Sequence, residues 1–109
     1  MDFEKLFKEL KEEITQIAKD RFGDQANDII KDMEDYLAES KEKIKKWSLL
    51  FVDGKIDKDE LEWLLKSQKD ILVLKTLRQA GVGMISIGHF KNKVIDTVLE
   101  KLVSLTNNL

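Results

Sequence analysis

From Ala26 to Phe51 a small or apolar residue, broken once by Ser40, returns every three or four positions: Ala26, Ile30, Met33, Leu37, Ser40, Ile44, Trp47 and Phe51. A seven-residue repeat of this kind is the seam of a helix that packs lengthwise against neighbours. It commits the middle of the chain to one long helix, expected from Asp24 to about Val52. The chain has no proline, the residue that would break such a helix. A second row, Asp28, Asp32, Asp35, Glu39 and Glu42, trails the seam by two residues, about 200° around the helix. That places it on the far side, where acidic rows mostly serve as a solvated face. A cation or a basic partner is the sharper alternative.

The flanking segments fold around this helix. A first helix is expected to begin after Asp2 as N-cap. Its core face is Phe3, Leu6, Phe7, Leu10, Ile14, Ile17 and Ala18, and it closes at Phe22 with Gly23 in the left-handed capping position. After the long helix, Asp53-Gly54 form a helix stop. Asp57 then caps a third helix, with Glu60 completing a capping box and Ile56 stapling onto Leu61. The third helix should carry Leu61, Leu64, Leu65, Gln68, Ile71, Leu72 and Leu77 toward the core and end near Ala80. So short a turn makes the second and third helices antiparallel neighbours. If the hairpin centres on Gly54-Lys55, Trp47 faces Trp63, Ile44 faces Leu65, Leu37 faces Leu72 or Val73, and Met33 faces Leu77. Ser40 falls opposite Gln68 and Asp70, a polar rung that would fix alignment.

The last third is less regular. Gly81 should cap the third helix, and a fourth should run from about Met84 or Ser86 to Thr106. Its wide apolar face is Phe90, Val94, Ile95, Val98, Leu99, Leu102, Val103 and Leu105. The glycines leave open whether residues 81–90 are a loop or part of a kinked helix. The expectation is an all-α protein, an antiparallel, up-down four-helix bundle with the second and third helices as central hairpin. At 109 residues one domain is expected.

Composition narrows the function. Charged residues are 37% and hydrophobic residues 42%, a balance that suits amphipathic helices and argues against disorder. Nineteen basic and 21 acidic side chains are finely interleaved for a net charge of −2, so there is no basic stripe for nucleic acid. With no cysteine, disulfides and thiolate metal sites are excluded. The N-terminus lacks a basic and then apolar leader. The longest uncharged stretch, Gln79 to Phe90, is too short to cross a bilayer, which takes about 20 residues. A cytoplasmic protein is expected.

Asp53-Gly54-Lys55-Ile56-Asp57-Lys58-Asp59-Glu60 resembles the second half of an EF-hand loop, D-G-x-I-x-x-x-E. The resemblance implies calcium ligands at Asp53, Asp57 and Glu60. The loop's first and third positions, which should supply oxygens, fall on Leu49 and Phe51. An αα-hairpin turn built on a capping box uses the same residues without a metal. His89 is the only histidine, too few for the paired Glu-x-x-His motifs of a di-iron bundle. No Ser-His-Asp pattern or phosphate-binding glycine loop is present. Catalytic, cofactor and metal residues are therefore expected to be none.

Trp47 and Trp63 read as core residues at the turn end of the hairpin. The surplus of apolar and small residues lies in Gly81, Val82, Gly83, Met84, Ile85, Ile87 and Phe90, the expected interaction site. The function expected is a non-enzymatic protein–protein interaction or assembly module, homo-oligomeric. The alternatives are a small-molecule or lipid carrier, and peripheral membrane association through residues 81–105.

Overall fold

The computed structural model of the chain describes residues 3–68, 72 and 74–107, without the side chains of residues 25, 75, 76 and 105–107. Among the described residues it is all helical. Five α-helices, α1 (Phe3–Phe22), α2 (Ala26–Val52), α3 (Lys58–Ser67), α4 (Lys75–Gln79) and α5 (Met84–Asn107), are joined by short connections, the first a 3₁₀ turn at Gly23–Gln25. The 27 residues of α2, about 40 Å at ~1.5 Å per residue, set the long dimension of 43 Å. The expected N-cap Asp2 and the expected partners Asp70, Ile71 and Val73 lie outside the described residues, as does the side chain of Leu105.

Side-chain pairs fix how α1, α2 and α5 run. Glu4, at the start of α1, accepts from Lys41 on α2 at 3.1 Å, and the Lys41 ammonium sits 5.3 Å from the Phe7 ring centre. Lys101 on α5 reaches Glu9 at 2.9 Å and Glu13 at 3.3 Å on α1. At the other end the Phe22 and Phe90 rings meet edge to face, 5.0 Å apart. Thus α1 runs antiparallel to both α2 and α5. Hydrogen bonding to Lys101, and then its charge, holds the Glu9 carboxyl below the usual carboxylate value. Exposed pairs of this kind contribute little to stability; apolar burial of Phe3, Leu6, Phe7, Leu10, Ile14 and Ala18 along α1 does that work.

The buried stripe of α2 differs from the expected seam. Ala26, Met33, Leu37, Ser40 and Ile44 are buried as expected, but so are Ile29, Tyr36 and Ser48, while Ile30, Trp47 and Phe51 are only half-buried. A strict seven-residue repeat keeps one face only on a supercoiled helix. On a straighter one it drifts by about 20° per repeat, so by the last turns the core faces Ile44 and Ser48. The stripe is also wide, because α2 contacts α1, α3, α4 and α5. Ser48 donates to the Ile44 carbonyl at 2.6 Å. The buried Ser40 hydroxyl has no hydrogen-bond partner of good geometry among the described residues. Burial pushes the neighbouring Tyr36 phenol above its usual value, with Ser40 acting in the opposite sense.

The turn after α2 is built as expected except that the capping box is only half made, with no bond from the Asp57 N–H to the Glu60 side chain among the described residues. Gly54, at φ 74°, donates to Phe51 at 3.1 Å and Lys55 donates to Leu50 at 2.9 Å, the two bonds of a Schellman stop. Asp57 then accepts from the Glu60 N–H at 2.7 Å, satisfying one of the four orphan donors at the start of α3. Ile56 is partly buried against the core, to which the fully buried Leu61 belongs.

Beyond the turn the expected third helix is corrected in three respects. It stops at Ser67 instead of near Ala80, and Leu72 and Leu74 are non-helical before α4 begins. Leu72, Leu74 and Leu77 are all at most 1% exposed. On one helix Leu72 and Leu74 would lie about 200° apart, so the core cannot take both unless the helix ends. The Ser40–Gln68 rung does not form: Gln68 caps the end of α3 and accepts from Lys43 at 3.1 Å. Trp63 is not in the core but 70% exposed. Core-facing Leu61 and Leu65 set the inner side of α3, and Trp63 lies about 200° from Leu61.

Candidate functional site

The seven residues expected to form an interaction site separate into four groups. Gly81 and Val82 terminate α4. With Gly81 at φ 80°, its N–H donates to Arg78 at 3.1 Å and that of Val82 to Leu77 at 3.0 Å. Val82 leans half-buried on the core, as an apolar residue following such a stop commonly does. Gly83 opens α5 by accepting from the Ile87 N–H at 3.0 Å. Ile87 and Phe90 are 3% and 0% exposed and belong to the core. Met84 and Ile85, in contrast, are 74% and 79% exposed.

The segment is therefore a turn through Gly83 followed by regular helix, and its interaction potential narrows to one adjacent pair. Ile85 precedes the buried Ile87 by two residues, about 200° around the helix. Met84 stands on the first turn. The later glycines are not required by crowding: a methyl group added at Gly83 or Gly88 would meet nothing within 4 Å. Gly88 sits inside α5 with ordinary helical geometry. Gly88→Ala should therefore stabilise the protein by about 0.5–1 kcal/mol, because glycine in a helix loses more backbone freedom on folding than alanine does. A shift of the urea midpoint to lower concentration would contradict the open space around that residue.

A second exposed apolar surface lies on the α2–α3 hairpin. Besides Trp63, Leu49 is 44% exposed. Leu49 and Leu50 sit in a shallow depression with Glu42, Lys45, Lys46 and Asp53. Trp63 and Leu64 line another with Asp57, Asp59 and Glu60. A groove between α3 and α5 brings Lys58 and Glu62 beside Asp96, Glu100 and Ser104 over an apolar floor of Leu99 and Val103. The start of α3 thus lies by the end of α5, so Trp63 and the Met84–Ile85 pair are toward opposite ends of the molecule. Sequence pairing across the turn missed Trp63; its spacing from Leu61 and Leu65 was the signal that pointed outward.

Other candidate chemistry is spread apart. Asp28, Asp35, Glu39 and Glu42 are exposed and Asp32 half-exposed along α2. Asp57 spends one carboxylate oxygen on the helix cap. Among the described residues no group of three His, Cys, Asp or Glu side chains is placed to hold a metal ion. His89 is exposed on α5, beside the buried Phe90, whose ring carries the Arg21 guanidinium at 5.9 Å. No helix among the described residues is long and apolar enough to cross a membrane. Comparison of the chain with protein-family models, with curated proteins and with solved structures finds no match.

Proposed function

We propose that the chain is a non-enzymatic interaction or assembly module that associates with copies of itself. In this reading α3 and α4 together form the third column of an antiparallel, up-down four-column bundle, and exposed apolar residues at its two ends make the contacts. The observation that carries the proposal is the Met84–Ile85 pair, left in solvent on a helix whose Ile87, Phe90, Val94 and Val98 are all buried. The core has taken the apolar face of α5 and left this pair out. Paired large apolar side chains on a surface mark contact sites more often than isolated ones do.

Sedimentation equilibrium over a wide concentration range tests this. The wild-type protein should show a mass above the 12.7 kDa of one chain, rising with concentration. The double variant Met84→Lys, Ile85→Lys should lower the average mass while leaving helical content and thermal midpoint nearly unchanged, since neither side chain contributes to the core. A monomer at every concentration overturns the self-association.

A further inference from the structure

Trp63 stands 70% exposed on α3. It shares one shallow depression with Asp57, Asp59, Glu60 and the half-buried Leu64. Asp59 and Glu60 precede it by four and three residues, so the three side chains occupy one face of the helix. That face is turned away from the buried Leu61 and Leu65. The surface is an indole and the edge of a leucine, framed by carboxylates.

Every charged residue that lines the depression is acidic. Asp57 gives one carboxylate oxygen to the Glu60 N–H, but among the described residues none of the three carboxylates enters an ion pair. The lysines of α3 are engaged elsewhere. Lys58 lines the groove beside α5, and Lys66 donates to Glu62 at 2.7 Å. The positive end of the α3 dipole offsets about half a charge, which leaves the surface acidic.

We propose that the Trp63 face receives an arginine-bearing segment of a different protein. A guanidinium stacks on the indole while its N–H groups donate to Asp59 or Glu60, and an apolar neighbour covers Leu64. Arginine suits this surface better than lysine, because its planar fork both stacks on a ring and pairs with a carboxylate. Tryptophan and arginine are also the residue types enriched among those that dominate interface energetics. A second copy is the poorer match. The chain has two arginines, Arg21 and Arg78, and the Arg21 guanidinium already lies 5.9 Å from the Phe22 and Phe90 rings. The inference goes beyond self-association, which Met84 and Ile85 carry, and does not depend on it.

The test titrates the full chain into a short fluorescent peptide of Arg-Ala-Leu repeats and reads anisotropy. Matching peptides carry lysine or glutamate in place of arginine. The arginine peptide should bind, the lysine peptide several-fold more weakly, and the glutamate peptide not at all. Trp63→Ala, and separately Asp59→Asn with Glu60→Gln, should each weaken binding at least about tenfold, with circular dichroism showing a retained helical fold. Asp28→Lys with Asp35→Lys, on the exposed acidic row of α2, should change the affinity by less than about twofold. That variant separates a built surface from general attraction to an acidic protein. Failure of the arginine peptide to bind, a lysine peptide that binds as tightly, binding that ignores Trp63→Ala, or an equal loss in the α2 variant overturns the proposal. So does a fall in the chain's own sedimentation mass on Trp63→Ala, which would make the occupant a second copy.

Discussion

Phe90→Ala should cost about 3–5 kcal/mol of folding free energy, the usual range for deleting a buried ring. The side chain is 0% exposed, meets Phe22 edge to face, and closes the end of the core where α1 hands over to α2. Its loss would leave a void bounded by α1 and α5, with the Arg21 guanidinium at its rim. Domains of this size hold about 5–15 kcal/mol in all, so urea unfolding should register a large drop in midpoint. Ile85→Ala, five residues earlier in the same helix, should move it by no more than about 0.5 kcal/mol. Comparable losses in the two variants would mean that Ile85 is covered within the monomer, and would remove the candidate interaction pair.

Leu72→Ala and Leu74→Ala should each cost about 2–5 kcal/mol. Both side chains are buried to within 1%, yet they are two positions apart. Alternation of that kind puts both on one side of a non-helical backbone but on opposite sides of a helix. The pair of substitutions therefore reads the backbone between α3 and α4 directly. Losses at both sites fit a chain that leaves the helix after Ser67. A large loss at one site and none at the other would instead indicate a helix continuous to Ala80, with one leucine in solvent.

The difference between Phe90 and Ile85 also marks how far the candidate site was legible. Seven residues from Gly81 to Phe90 stood out for composition, and composition cannot separate an apolar residue that fills a core from one left over. Two of the seven turned out to terminate α4, one opens α5, and two complete the core. Trp63 shows the same limit in the other direction. Matching it with Trp47 across the turn was a plausible pairing, but α3 is rotated so that Leu61 and Leu65 face inward, and the tryptophan follows that rotation outward. The break after Ser67 gave no local warning, since neither proline nor glycine marks it and the apolar residues of 71–74 suit either conformation.

What the sequence by itself determined is local. Spacing every three or four residues specifies helices, glycine at positive φ stops α2 and α4, and Asp57 starts α3, because each depends on backbone geometry and hydrogen bonds within a few residues. Which apolar faces are covered was decided only by the tertiary structure. Burial depends on the volume that α1, α2 and α5 leave for the rest of the chain. That space accommodates Ile87, Phe90, Leu72 and Leu74, and it leaves Met84, Ile85, Leu49 and Trp63 facing solvent.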